Sequence, residues 1–175
     1  DQHVAAVDSI PPKSRDGRKL NLDFETGDLS DWHADGKAFT SQPIQGDTVH
    51  SRRNDMFSLH RGKYWIGGYE VAGDEPTGTL TSEKFVASHR YASFLIGGGS
   101  SDKTRVELWG ASDSQPFYSA RGRNAENLHR VVVDLRRVQD SEMFIRLVDA
   151  SSGGWGHINF DHFRMHARRP GPITP

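Results

Sequence analysis

Short segments in which apolar residues recur at every second position restrict the fold of this chain more than any other feature. That period of two is typical of β-strands with one buried face, and glycine-rich or polar turns separate the segments at intervals of about 8 to 15 residues. No helical stripe is present, and at most single turns are expected at 124–128 and 135–138. The pattern predicts an all-β protein, a β-sandwich of the jelly-roll type with about nine antiparallel strands. The predicted strands are 19–25, 64–69, 78–82, 91–96, 105–109, 117–120, 130–134, 143–148 and 157–165.

The same alternation predicts which side chains face the core. They are Phe24, Phe94, Val106, Leu108, Val132, Ile145, Leu147, Ile158 and Phe160. The length of 175 residues suits one domain. We expect a flexible N-terminal arm or linker at 1–19, a binding module at 20–166 and a C-terminal linker at 167–175, because both flanks lack periodicity and carry Pro and charged residues.

Charge and cysteine content exclude several classes of protein. The 22 basic and 23 acidic residues give a formal net charge of −1, which argues against binding to nucleic acid or a membrane surface through bulk charge. The chain has no cysteine, so disulfides, thiolate zinc sites and a cysteine nucleophile are excluded. No apolar stretch approaches the roughly 20 residues that span a bilayer.

A glycine-rich loop leads into the last predicted strand. The loop Gly153-Gly154-Trp155-Gly156 is followed by alternating polar and apolar residues, in which His157, Asn159 and Asp161 share the wetter face. A histidine, an amide and a carboxylate in one row favour a binding role.

This run, together with Ile96-Gly97-Gly98-Gly99 and the following segment 104–108, resembles the galactose-binding-like β-sandwich module of bacterial levanases and related fructan hydrolases. It also resembles a domain of large planctomycete surface proteins with cytochrome-type modules. The resemblance covers residues 20–166. It implies an extracellular, periplasmic or cell-surface location and a glycan ligand, with fructan as one candidate.

Polar residues on three predicted strands indicate a possible ligand surface. If the strands are neighbours, as the resemblance implies, the surface combines fork-shaped arginine donors and carboxylate acceptors that suit vicinal hydroxyls. Trp155 would offer a flat apolar face to a sugar ring. The alternative is structural, since arginine and glutamate on adjacent strands commonly form a solvated ion pair and a loop tryptophan can cover the end of a sandwich. The candidate ligand-binding residues are Arg105, Glu107, Arg146, Asp149, Trp155, His157 and Asn159.

A structural calcium ion is a second expectation. The resemblance gives Glu25 and Asp161 the carboxylate positions, and hard oxygen ligands without cysteine favour Ca²⁺ over zinc. The alternative is that Glu25 and Asp28 cap turns.

The sequence therefore predicts a non-catalytic carbohydrate-binding module of a larger extracytoplasmic protein, with a polysaccharide or oligosaccharide and other domains of the parent protein as partners. The alternative is a structural or protein-interaction domain of a surface assembly. A third interpretation is hydrolysis by the carboxyl pair Glu107 and Asp149. It is disfavoured because two acids on an open sheet face lack the enclosure that raises the pKa of one of them and excludes water. The nine histidines are scattered and no catalytic motif is present.

Overall fold

The computed structural model describes residues 9–171, in which twelve strands and no helix occur. The strands form two six-stranded sheets in which every pairing is antiparallel, as the alternation predicted. The strands are β1 (Ser9–Ile10), β2 (Trp32–Gly36), β3 (Ile44–Gln45), β4 (Tyr64–Gly67), β5 (Gly78–Ser82), β6 (Phe85–Val86), β7 (Tyr91–Gly98), β8 (Thr104–Gly110), β9 (Tyr118–Ala120), β10 (Ala125–Asp134), β11 (Glu142–Asp149) and β12 (Ile158–His166).

The sheets pack face to face as a β-sandwich. The first sheet has the order β10-β7-β12-β4-β3 with β1 beside β12, and the second has the order β2-β5-β11-β8-β9 with β6 beside β11. Aromatic rings fill the space between them. For example, the ring centroid of Phe94 lies 5.6 Å from that of Phe160 and 6.2 Å from that of Phe163. The predicted core residues lie in this core, with the exception of Val132. No helix in the described part of the chain is long and apolar enough to cross a membrane.

The prediction that Val132 faces the core was wrong, because the strand has a different register from the one expected. Strand β10 starts at Ala125 and its pairing with β7 shifts between Ala125 and His129, so that Val133 is buried and Val132 lies on the outer face opposite Ser93. The single helical turn expected at most at 124–128 does not form, because Asn124 has φ of 54° and residues 125–128 belong to this long strand.

The predicted strand at 19–25 is the one segment that forms no strand, although its apolar side chains are buried as expected. Phe24 has φ of 63°, outside the extended region. Asn21 donates from its side chain to the carbonyls of Asp28 and Ser30, and its backbone N–H donates to Asp31. These local side-chain bonds take the place of a ladder with a neighbouring strand.

The described part of the predicted N-terminal arm contacts the sandwich. Ser9 and Ile10 pair with His166 and Met165 of β12, and Lys13 forms a bridge to Lys19. A two-residue strand is too short for an alternating pattern to reveal it in the sequence. Residues 1–8 and 172–175 of the two predicted linkers lie outside the described residues.

Candidate ligand-binding site

The loop between β11 and β12 forms one wall of an open hollow of about 290 Å³. Trp155 has φ of 57°, and its backbone N–H donates to Asp74 at 3.2 Å. The flanking chain is close: a Cβ at Gly99 would lie 2.2 Å from the carbonyl oxygen of Trp155, and one at Gly156 would lie 2.9 Å from that of Asp74. The glycines are therefore required by packing, and they hold the tryptophan at the rim.

His157 lies at the base of the hollow, immediately before β12, and only 2% of its surface is exposed. Its Nδ1 lies 2.6 Å from Asp74 Oδ1, and its Nε2 lies 2.5 Å from Glu126 Oε1. A carboxylate accepts hydrogen bonds, so the imidazolium form of His157, with a proton on each ring nitrogen, matches both contacts.

The electrostatics support this protonation state. Burial disfavours a charged ring, but the hydrogen bonds and negative charges of Glu126 and Asp74 outweigh it and raise the pKa of His157. Burial likewise opposes ionisation of Glu126, yet His157 and Arg52 lower the pKa of its carboxyl. His157 and Glu126 are therefore a buried, mutually stabilised ion pair, and with the partly exposed Asp74 they form a charge cluster.

Arg52 extends the cluster to the surface from the loop between β3 and β4. Its Nη2 lies 2.7 Å from Glu126 Oε2, and it forms a second ion pair with Glu70. Within residues 9–171 its guanidinium donates hydrogen bonds from Nε and Nη2, so that Nη1 is available to a ligand.

Two aromatic rings flank the histidine. The ring of Trp155 is stacked on His157 with centroids 5.5 Å apart, and Tyr69, 38% exposed, lies 5.4 Å from the same ring. Arginine side chains lie against both aromatic rings: Arg52 is 4.5 Å from the centroid of Tyr69 and Arg53 is 5.8 Å from that of Trp155. The hollow thus combines flat apolar surfaces with charged hydrogen-bonding groups.

Two further predicted residues lie beneath the hollow. Asn159 is fully buried, accepts from the backbone N–H of Gly68 at 3.1 Å and donates to the carbonyl of Glu126 at 3.4 Å. Asp149, 4% exposed, accepts from the N–H of Ser151. Burial, together with the charge of Asp74, raises the pKa of Asp149 to about 7. Both side chains are internal, and their role in ligand binding stays a prediction.

The expectation that three strands form one polar surface was wrong, because β8 and β11 belong to the sheet opposite β12. Glu107 accepts from Arg105 Nε at 2.8 Å and from Trp109 Nε1 at 3.0 Å. Arg146 donates from Nε to Thr81 Oγ1 at 3.1 Å and lies 5.0 Å from the ring centroid of Trp109. Arg105, Glu107 and Arg146 therefore form a separate row on the outer face of the second sheet, and their role in ligand binding stays a prediction.

The two residues predicted to hold calcium approach the loop between β3 and β4. Glu25 accepts from the N–H groups of Lys63 and Tyr64. Asp161 is fully buried; its Oδ2 accepts from the N–H of Arg61 at 2.8 Å, and its Oδ1 has no hydrogen-bond partner among the described residues. Burial, reinforced by the charges of Glu25 and Asp23, raises the pKa of Asp161 to about 8.

An orphaned buried carboxylate oxygen beside a second acid fits a hard cation such as Ca²⁺. Residues 9–171 contain no group of three or more His, Cys, Asp or Glu side chains arranged for a metal. Backbone carbonyls would therefore have to complete the coordination.

Sequence reasoning missed five residues of the hollow: Arg52, Arg53, Tyr69, Asp74 and Glu126. Asp74 and Glu126 lie 83 and 31 positions from His157, and no local pattern joins them to it. Tyr69 gives a weak signal in the sequence, because Trp65 and Tyr69 are two aromatic residues close to Gly67-Gly68. The structure buries Trp65 fully and leaves Tyr69 at the hollow.

The fold and the site define a β-sandwich module with an open pocket of aromatic and charged groups. No family model matches the chain. Over 144 residues, 79% of this chain, it is 30% identical to ecdE of Aspergillus rugulosus, a protein named as a proposed glycosyl hydrolase. The matched region makes up 20% of the length of that curated relative.

Among solved structures, the chain is similar to TmCBM61, a carbohydrate-binding module whose structure contains β-1,4-galactotriose. The TM-score is 0.53 at 17% identity, and the match covers 83% of this chain and 95% of that chain. The two proteins share the β-sandwich fold.

Proposed function

We propose that this chain is a non-catalytic carbohydrate-binding module of a larger extracytoplasmic protein. The observation that carries the proposal is the pair of aromatic rings, Trp155 and Tyr69, that both pack against the buried His157 in an open hollow. A sugar ring has an apolar face of C–H groups and an edge of hydroxyls, and the hollow offers a surface for each.

The polar groups match the hydroxyl edge. Arg52 Nη1 supplies donors, and the partly exposed Asp74 supplies carboxylate oxygens that can accept from hydroxyl groups. Because His157 binds the carboxylate of Asp74 and Glu126 binds the guanidinium of Arg52, both groups are fixed before a ligand arrives. Such preorganisation lowers the entropic cost of binding.

The same hydrogen bonds favour binding over catalysis. A general acid or base must exchange a proton with its substrate. In this cluster both ring nitrogens of His157 are held by carboxylates, and both oxygens of Glu126 are held by His157 and Arg52. Each transferable proton is therefore already committed to an internal ion pair.

The comparisons support a glycan ligand. TmCBM61, which shares the fold, binds β-1,4-galactotriose in its structure, and ecdE is named for glycoside hydrolysis. The resemblance to levanase modules adds fructans as candidates. We propose galactan and fructan chains as the first ligands to test, and secretion or surface display of the parent protein.

We also propose that Glu25 and Asp161 hold a structural Ca²⁺. A bound cation would supply the missing partner of Asp161 Oδ1 and would tie the loop after residue 25 to β12. It would also keep the buried Asp161 ionised at neutral pH.

A glycan array probed with the labelled protein tests the proposed function. We expect binding to one class among galactans, fructans and acidic plant polysaccharides, and its loss in Tyr69→Ala. The conservative Tyr69→Phe keeps the ring and should retain most of the binding. Uniform silence of the wild-type protein across the array would contradict the proposal.

A protein-interaction role is the second candidate. Besides Tyr69, three large apolar side chains of the described residues are exposed, all on loops: Phe57 at 47%, Leu59 at 55% and Val71 at 60%. Exposed apolar groups of this kind favour contact with another domain. Silence on the array together with co-purification of a partner domain would favour this candidate.

A further inference from the structure

A second cavity, of about 870 Å³, lies on the outer face of the first sheet. Its walls include Leu95, Leu128 and Val132, which come from the neighbouring strands β7 and β10. None of the residues that line it lines the hollow around His157. Its volume falls in the range of about 300 to 1,000 Å³ that is typical of small-molecule sites, and an apolar lining is also typical of them.

Three arginines surround this apolar cavity: Arg61, Arg130 and Arg169. Within residues 9–171 none of them forms a salt bridge with a carboxylate. Among the same described residues, the guanidinium of Arg130 donates to one group, the carbonyl oxygen of Gly171, at 3.1 Å. Partial burial and the positive charge of Arg61 both lower the pKa of Arg130. The two guanidinium groups therefore repel each other at a site where an anion would relieve the repulsion.

The two histidines in the lining add little charge. Burial lowers the pKa of His60, and burial together with the charge of Arg123 lowers that of His129. Both rings are neutral at pH 7, so the arginines alone give the cavity its positive charge.

We propose that this cavity is a second binding site, for an organic anion with an apolar body: a carboxylate attached to an alkyl chain. Leu95, Leu128 and Val132 pack against the apolar body, and Arg61 and Arg130 bind the carboxylate. The geometry of a guanidinium fork matches a carboxylate in two parallel hydrogen bonds.

The composition of the cavity favours this ligand over a nucleic acid strand. Single-stranded nucleic acids bind on aromatic platforms, and aliphatic side chains of leucine and valine offer no such stacking surface. An inorganic anion would neutralise the arginines but would leave the apolar walls of the cavity exposed to water. Both parts of the cavity are used only when charge and apolar surface belong to one molecule.

Decanoate, kept below its micelle concentration, is the probe, and calorimetric titration of the full chain is the measurement. We expect saturable one-to-one binding, and decanol, which has the same apolar body without charge, should bind at least tenfold more weakly. Arg61→Gln and Arg130→Gln should each weaken decanoate binding about tenfold. Added salt should weaken it in the wild-type protein. Arg137→Gln, which removes the same charge from an exposed turn, is the matched control and should bind as the wild type does.

Equal affinity for decanoate and decanol, or unchanged affinity in both arginine variants, would overturn the proposal. So would a failure of the wild-type protein to bind decanoate, or tighter binding of a single-stranded oligonucleotide that competes with it. Melting curves of the variants establish that they are folded. Trp155→Ala should leave decanoate binding intact, so that this site and the proposed carbohydrate site succeed or fail separately.

Discussion

Replacement of His157 by alanine should destabilise the protein strongly. The imidazolium donates to two carboxylates, and its removal leaves Glu126, only 1% exposed, with Arg52 as its one remaining charged partner. Breaking a buried ion pair by deleting one partner costs about 3 to 5 kcal/mol. For a domain of this size that corresponds to a fall in Tm of about 6 to 20 °C.

The effect should depend on pH in a defined direction. The pKa of His157 is higher in the folded state than its ordinary value of 6.5. Its contribution to stability is therefore fully present below pH 6.5 and is lost as pH rises through the raised pKa. The difference in Tm between wild type and His157→Ala should be largest at pH 6 and should shrink at alkaline pH.

Thermal unfolding followed by circular dichroism between pH 5 and pH 10 measures both effects. His33→Ala, an exposed histidine on β2, is the matched control and should change Tm by less than about 2 °C. Glu126→Gln combined with His157→Ala should cost less than the sum of the two single changes. Equal Tm values for wild type and His157→Ala would refute the assignment of a buried charge cluster.

Three other changes test separate parts of the structure. Glu107→Ala should lower Tm by several degrees, because it removes the hydrogen bonds that Arg105 and Trp109 donate, and it should leave glycan affinity unchanged. A loss of glycan affinity would instead show that Arg105, Glu107 and Arg146 form a ligand surface. Asp149→Asn should raise Tm above pH 7 and have little effect at pH 4. The reason is that the pKa of Asp149 is raised to about 7 in the folded protein, so that its carboxyl stabilises the fold only while it is protonated. An unchanged Tm at pH 8 would contradict the burial of Asp149. Removal of calcium with EDTA should lower the Tm of calcium-loaded protein, and Asp161→Asn should abolish that sensitivity. A melting curve unaffected by EDTA would contradict the proposed calcium site.

Local alternation was sufficient to predict the strands that cross the core. Ile158 and Phe160 of β12, and Ile145 and Leu147 of β11, are buried as their period of two requires. Alternation failed where side chains bond to the backbone, as at Asn21, and where a strand changes register, as at Val132. Both exceptions depend on contacts that a binary pattern does not contain.

The candidate site was only half predictable. Trp155 and His157 stand out because a glycine-rich loop leads directly into an alternating strand. Asp74 and Glu126 do not, since each reaches the histidine from a distant part of the chain. Which sheet holds β8 and β11 is also a non-local property, and for that reason Arg105 and Arg146 were assigned to the wrong neighbours.

Calorimetric titration of the glycan selected on the array tests the central claim most directly. We expect Trp155→Ala to weaken binding of that glycan by about 10- to 100-fold, or ~1.4 to 2.8 kcal/mol, with a Tm close to that of the wild type. Trp109→Ala removes the same side chain from the opposite sheet and should bind as the wild type does. Full affinity in Trp155→Ala, or loss of affinity in Trp109→Ala alone, would contradict the assignment of the hollow around His157 as the carbohydrate site.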